Sequence, residues 1–421
     1  MHVFRRMICA GCLIGFLCAW PGAVRALTLE EAMDQAEGSL PALKAADGRV
    51  GSREALYKAS LSPYLPTLDV ATIQEKRKQN SLSFDQSTYD ITMSYTLYDG
   101  GRRRADRNIA RLSRDSEKEE RARTLLDLQF DVKSAFFSTI ARRDILQHRK
   151  VQVEDSRKDY EVAQGRNELG VAKLSDVLQS SVRFEQSKFN LVQGEGELQK
   201  SLAELNSLLG RSLETEYDLA GDLESRVSMP DPDRLGRAVL ERPEIRQSEY
   251  AVDVARNNKT RQLSEYLPIV TASASYNKSE ANRLISSLED KSIGITATWN
   301  IFELGKFYRT KAAGFDVQVT RENLEETIRQ LLLELRVAYE DFVTASRNVL
   351  VAEEQLKQAE HNYAQTFGEY KIGKSDIIAL VASGIALSNA REQHTVTKLN
   401  LVLAKTLIER ATGMERIELL E

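Results

Sequence analysis

Between Gly101 and Gly165 lie 63 residues without a single proline or glycine. At ~1.5 Å rise per residue, an unbroken helix of that length is a rod of roughly 95 Å, far beyond the three or four turns of an ordinary globular helix. From Lys306 to Phe367 the pattern returns with only Gly314 inside it, and no proline follows Pro268. Ile328, Leu332, Leu335, Tyr339, Phe342 and Val349 keep spacings of threes, fours and sevens, a narrow coiled-coil-like seam between charged flanks. A compact single-core enzyme has no use for such rods.

The rods belong to a unit written twice. Ser62-Pro63-Tyr64-Leu65-Pro66 returns as Ser264-Glu265-Tyr266-Leu267-Pro268, and Pro41-Ala42-Leu43 as Pro243-Glu244-Ile245, both 202 residues later. Tyr98-Asp99-Gly100-Gly101-Arg102 returns as Phe302-Glu303-Leu304-Gly305-Lys306, 204 residues later. Tyr160 to Gly210 aligns without a gap on Tyr363 to Gly413, with Gly165/Gly368, Gly170/Gly373 and Gly210/Gly413 as shared punctuation. The predicted organisation is a first repeat over 27–212 and a second over 238–421. The first holds a helix, strands at about 66–98, a long helix at about 102–165 and a helix at about 174–210. The second holds a helix, strands at about 268–302, a long helix at about 306–368, a helix at about 376–413 and a tail. Residues 213–237, with Pro230 and Pro232, are expected to form an equatorial segment together with the tail at 416–421.

The strand segments follow a period of two. Tyr89, Ile91, Met93, Tyr95 and Leu97 alternate with Thr88, Asp90, Thr92, Ser94 and Thr96; Ile293, Ile295, Ala297, Trp299 and Ile301 alternate with Ser292, Gly294, Thr296, Thr298 and Asn300. Thr271 to Asn277 continues the pattern, and Thr67 to Gln74 carries it most weakly. A half-buried sheet packed on a helix gives the same alternation. Two features favour lipid instead: each strand reads as ~9–11 residues, the length that crosses a bilayer when tilted, and Tyr89, Tyr95, Tyr276 and Trp299 cluster on the apolar faces as interfacial girdles do.

The N-terminus has the order of an export signal: Arg5 and Arg6, an apolar run from Met7 to Ala19, then Val24-Arg25-Ala26, with residues 1–26 expected to be removed. A lipid-anchored cysteine is the rival reading, but the residues before Cys12 and Cys18 fit that signal poorly. All three cysteines, at 9, 12 and 18, fall in this segment, and His2, His148, His361 and His394 have no metal-ligand spacing. Disulfide frameworks, zinc sites and cysteine proteases are thereby disfavoured, and no cofactor is expected. The net charge of −4 lacks the basic excess of a nucleic-acid binder. Gly194-Glu195-Gly196 lacks the third glycine and the preceding strand of a phosphate loop.

If the strands sit in lipid, their edges must be paired, because each unsatisfied backbone group there costs several kcal/mol. Four strands cannot close a barrel, so the protomer must oligomerise: two copies would supply eight strands and three would supply twelve. Polar faces would then line a lumen that the paired rods continue as a helical tube. At this point Thr28-Leu29-Glu30-Glu31-Ala32, Tyr64-Leu65-Pro66, Leu97-Tyr98-Asp99-Gly100-Gly101-Arg102, Leu169-Gly170-Val171 before Asp176-Val177-Leu178, and Arg242-Pro243-Glu244 carry a resemblance. Their order and the duplication resemble the TolC family of outer membrane efflux proteins across essentially the whole mature chain.

That resemblance implies a mainly α protein with a membrane β-barrel: a homotrimer whose four strands per protomer form one twelve-stranded barrel in the outer membrane of a Gram-negative cell, continued by a periplasmic α-helical barrel. It implies an exit duct without chemistry of its own. The partners are a periplasmic adaptor, an inner-membrane efflux pump or ABC transporter, and outer membrane lipid, with no nucleic acid. Small-molecule efflux is the expected duty, with type I protein secretion as the alternative. A soluble periplasmic scaffold or an adaptor is a further one. The adaptor-docking tips would be Arg166, Leu169, Gly170, Val171 and Ala172 in the first half and Ile372, Gly373 and Lys374 in the second.

For the gate, the family places a tyrosine, an arginine and two aspartates around the second tip. Tyr370 matches the tyrosine, but the arginine position is Ser375 and the aspartate positions are Ala379 and Ala382. Asp376, one turn before Ala379, and Asp176, at the aspartate-equivalent place of the first half, are the substitute candidates. Arg102, Arg103 and Arg104 open a rod at the end where the helix dipole disfavours cations, so they are expected to form a basic collar facing lipid phosphates, with a plain solvated charged face as the alternative.

Overall fold

The computed structural model describes residues 26–79, 82–223, 231–281 and 288–414. The expected leader (all but Ala26), the tail at 416–421 and residues 224–230 of the equatorial segment lie outside the described residues. The first half runs α1 (Leu29–Ser39), α2 (Pro41–Ala59), β1 (Thr67–Gln79), β2 (Leu82–Tyr98), α3 (Arg102–Glu168) and α4 (Leu174–Leu209). The second runs α5 (Pro232–Val239), α6 (Pro243–Ser264), β3 (Ile269–Ala281), β4 (Leu288–Thr298), α7 (Leu304–Lys371) and α8 (Ile377–Thr412).

α3 and α7, of 67 and 68 residues, are rods of roughly 100 Å at the standard rise. Each folds back on a 36-residue helix, α4 or α8. The core divides the same way. Leu128, Val132, Phe136, Ile140 and Leu205 close a core with α1 in the first half; Leu331, Leu335, Phe342, Val349 and Ile408 close one with α5 and α6 in the second. Leu331, Leu335 and Ile408 stand at the repeat-equivalent places of Leu128, Val132 and Leu205, so the duplication is a duplication of packing. In the predicted seam, Leu335, Phe342 and Val349 are buried, whereas Leu332 faces outward: the buried stripe runs Leu331, Leu335, Ala338, Phe342, Ala345, Val349 in steps of four and three, and Leu332 stands beside it.

The four strands form one antiparallel sheet in the order β1-β2-β3-β4. Register places Leu68, Met93, Ala274 and Ile293 in one row and Val70, Ile91, Tyr276 and Lys291 in the next, all on the apolar face. Asp69, Thr92, Ser275 and Ser292 form a row of the opposite, polar face. Three strands are longer than expected: β1 and β3 have 13 residues and β2 has 17. The apolar alternation marks only the part of β2 from Tyr89 onward, and backbone pairing carries the strand beyond it. A register shift between Thr96 and Tyr98 interrupts the ladder at the end of β2, just before the rod.

The step from strand to rod is made by Asp99, Gly100 and Gly101, the glycines at φ +67° and +89°. The Asp99 carboxylate accepts from the N–H of Gly101 (3.1 Å) and of Arg103 (2.8 Å), filling the orphan donors of the new helix. Here the expected collar needs correction. Arg103 turns inward: its guanidinium donates to Asp99 Oδ2 (3.0 Å) and to the carbonyls of Thr96 (2.8 Å) and Pro63 (3.0 Å), and it covers the Tyr64 ring at 5.0 Å. Strand-end carbonyls, not lipid phosphates, repay its unfavourable place at a helix start. Arg102 and Arg104 are exposed. In the second half Lys306, which the repeat aligns with Arg102 and which is only 5% exposed, does the work of Arg103. Its Nζ donates to the carbonyls of Glu265 (2.6 Å) and Asn300 (2.7 Å).

These buried cations should dominate the corners energetically. Arg103→Ala or Lys306→Ala is expected to cost about 3 kcal/mol, because carbonyls and a carboxylate lose their donors. Arg102→Ala and Arg104→Ala should stay within about 0.5 kcal/mol. Denaturant titration followed by circular dichroism distinguishes the two pairs.

Candidate functional site

The two rods reverse through identical devices. At the first tip Gly170 sits at φ +73°, its N–H bonds the Asn167 carbonyl (2.8 Å), and the Val171 N–H reaches back to Arg166 (2.9 Å). At the second, Gly373 sits at φ +82°, its N–H bonds Tyr370 (3.0 Å), and the Lys374 N–H reaches Glu369 (2.9 Å). This pair of bonds is the Schellman closure, which requires a left-handed residue and so favours glycine. Leu169, Val171 and Leu174 on one tip and Ile372 and Ile378 on the other project apolar side chains into solvent, Leu169 being 80% exposed. Lys374 is also exposed, and Ala172 is half-buried with its carbonyl held by Asn167 Nδ2 (2.8 Å).

The tips are joined to each other. Arg166 reaches from α3, placing its guanidinium 4.7 Å over the Tyr370 ring and donating to the Tyr370 carbonyl. Its Nη2 lies 3.4 Å from where a Cβ on Gly373 would stand, an ordinary contact distance, so the positive φ is what calls for glycine there. Tyr370 is 1% exposed and packs with Ala163, Ile377 and Leu380. Burial raises its phenol pKa, the nearby Asp176 charge adds to this, and Arg166 opposes it. Among the described residues the hydroxyl has no hydrogen-bond partner.

The other gate candidates divide. Asp376 is the N-cap of α8: its carboxylate accepts from the Ala379 N–H at 2.8 Å while remaining exposed. Asp176 lies in the first turn of α4, half-buried, and Ser375 stands beside Asp376, half-buried. At the far end, Tyr89, Tyr95 and Tyr276 share the apolar sheet face. Trp299 follows β4 and donates its indole N–H to the Tyr266 carbonyl (3.0 Å).

Sequence reading missed a buried polar layer behind the tips. Tyr363 of α7 donates to Asp159 of α3 (3.0 Å), Arg183 of α4 donates to the Gly384 carbonyl (3.4 Å), and Arg391 of α8 pairs with Asp155 (3.1 Å). Burial pushes the Asp159 carboxyl up to about 6, against the pull of Tyr363 and Arg183. The available signal was spacing: Asp159 precedes Arg166 by one heptad, and Tyr363 precedes Tyr370 by one.

With this geometry in place, the comparisons decide the family. The outer membrane efflux protein family matches twice, over residues 32–211 and again over 235–414. The chain belongs to that family. It is accordingly a protein of the outer membrane. The cobalt-zinc-cadmium resistance protein CzcC of Cupriavidus metallidurans is 24% identical over 92% of this chain and 90% of its own. Protein CyaE of Bordetella pertussis is 26% identical over 46% of this chain, and the alkaline protease secretion protein AprF of Pseudomonas aeruginosa is 24% identical over 69%. The chain spans 42% and 60% of those two relatives' lengths. The solved structure of CusC shares the fold at a TM-score of 0.82 and 16% identity, over 91% of each chain.

The tip assignments make distinct demands on single substitutions. Asp376→Ala should lose about 1 kcal/mol of cap energy and Asp376→Ser should keep most of it. Arg166→Ala should lose about 1–2 kcal/mol through its carbonyl bond and ring contact, whereas Tyr370→Phe, which removes a hydroxyl without a partner, should be neutral or slightly stabilising. Amide hydrogen exchange across 360–385 reads all four.

Proposed function

We propose that the protein is the outer membrane exit duct of a multi-component export system, a homotrimer closing one twelve-stranded barrel above a helical tube. One observation carries the reading: a four-stranded sheet with one apolar and one polar face whose outer strands, β1 and β4, have no neighbour among the described residues. In hydrocarbon such edges must be paired, and four strands are too few to close alone. β4 of one copy and β1 of the next supply the missing partners. The same two margins carry exposed apolar side chains: Leu56, Leu61 and Leu65 beside β1, and Ile301, Phe302 and Leu304 beside β4. From Tyr89 to Tyr98 the strand runs about 30 Å, and at the usual tilt of about 40° this spans roughly 23 Å of membrane height, close to the apolar band of such barrels.

The exposed apolar residues around Gly170 and Gly373 support these tips as docking points for a periplasmic adaptor, which would join the duct to an inner-membrane transporter. The duct itself only conducts; it catalyses nothing. Efflux of small solutes is favoured over protein export, since the cobalt-zinc-cadmium resistance protein CzcC aligns over nearly its full length. The partial match to the secretion protein AprF supports protein export as the second reading.

Recordings from the purified full chain in planar bilayers should give discrete conductance steps from an oligomer with the mass of a trimer. A soluble monomer that never inserts would overturn the duct. The sheet faces give a finer check. Ile293→Lys, on the apolar face halfway along the outer strand β4, should cost about 2–4 kcal/mol per chain and impair membrane assembly. Ser292→Lys, on the polar face, should assemble normally.

A further inference from the structure

The duplication provides an internal comparison at one place on the hairpins. In the first half Arg142 of α3 donates to Glu197 of α4 at 2.9 Å, so an ion pair bridges the two helices. The equivalent residues, 203 positions later, are Ala345 of α7 and Asn400 of α8. With both charged side chains gone, a cavity of about 370 Å³ stands at that place, large enough for a small organic molecule. Leu403 and Leu407 of α8 and Phe130 of α3 give it apolar lining, and Asn348 and Asn400 give it carboxamides. One acid is present as well. Asp341 of α7 stands one turn before Ala345, in the place of Ser138, and lines the cavity. It is exposed and has no hydrogen bond or ion pair among the described residues. Arg410 does not answer it: that guanidinium lies 5.3 Å from the Phe130 ring and is held by Asp127 at 2.9 Å.

We propose that this cavity is a binding site for a small organic cation, a guanidinium or ammonium group on a short apolar body. The first half carries its cation covalently, on Arg142. The second half keeps the space and an acid but has lost the cation. A guanidinium placed there donates two parallel N–H bonds to the Asp341 carboxylate, and the carboxamide oxygens of Asn348 and Asn400 are free to accept its remaining donors. The apolar body covers Leu403, Leu407 and Phe130 and leaves water in doing so. An anion would meet the Asp341 charge with nothing to offset it, and a neutral molecule would leave that charge unanswered. The role of the site rests on the duct reading, in which a cation held here is cargo resting on the wall; the binding itself does not depend on closure of the ring.

The probe is para-fluorobenzylguanidine, titrated against the purified full chain in detergent at low salt and followed by fluorine NMR, with para-fluorobenzylurea as its neutral counterpart. The guanidine should bind saturably, one per chain, and the urea at least about tenfold more weakly, the share of a charge-assisted hydrogen bond. Asp341→Asn changes an exposed side chain that bonds nothing in the described chain, so it should fold normally and lose the same factor. Ala345→Arg combined with Asn400→Glu, which installs the ion pair of the first half, should abolish binding. Equal binding of guanidine and urea, unchanged affinity in Asp341→Asn, or no binding by the native chain overturns the site. Conductance recorded on the same samples separates the two ideas: pores without probe binding sink the site alone, and probe binding by a chain that forms no pores sinks the duct alone.

Discussion

Unpaired backbone at the two margins of the sheet sets the terms for the rest of the molecule. β1 and β4 each present a ladder of donors and acceptors with no partner among the described residues of their own chain. In water such an edge invites aggregation; in hydrocarbon it is untenable. A second copy offering the opposite edge resolves it without any new element, and a closed ring of copies resolves it everywhere. Closing the sheets in the proposed ring would also bring the helical margins of α2 and α7 together, where exposed apolar side chains already stand. The lumen and tube of the proposed duct thus follow from one demand of backbone chemistry.

That demand has to be transmitted through the corners. β2 and β4 must each give way to a long rod within a few residues, and any play there would be magnified along the rod's length. Arg103 and Lys306 remove the play by reaching back to carbonyls of the strand ends and of the preceding turn. The second half uses a lysine where the first uses an arginine, and the acid at the place of Asp99, Glu303, engages the guanidinium of Arg309 instead (3.0 Å). Gly100 adds a contact between halves: a Cβ there would lie 2.8 Å from the Ser264 carbonyl at the end of α6.

Rods, reversals and strands were legible in the sequence because each rests on a local rule. The glycine-free stretches have no helix breaker, Gly170 and Gly373 supply the backbone conformation that reversal needs, and Tyr89 to Leu97 alternates as a two-faced strand must. Arg103 was misread for the same reason: locally a cation at a helix start looks exposed, and its partners Pro63 and Thr96 are brought to it only by the folded corner. Asp159 resembled any other acid on a charged helix. Its burial depends on Tyr363, which lies in the other repeat. Leu332 failed in the opposite sense, since the adjacent Leu331 takes the seam position and leaves Leu332 on the flank.

The duplication is complete in backbone and incomplete in chemistry, and the differences fall at the tips. Asn167, which ties its own loop through Ala172, is replaced at the equivalent place by Tyr370, which is buried against the other hairpin. Lys173, which caps α4 without a side-chain bond, is replaced by Asp376, which caps α8 with one. Asp176 is replaced by Ala379. The first tip is therefore held by its own loop, and the second by its neighbour and its cap. Two copies of one hairpin have diverged so that the second depends on the first, and Arg166 and Asp159, both on α3, are the groups through which that dependence acts.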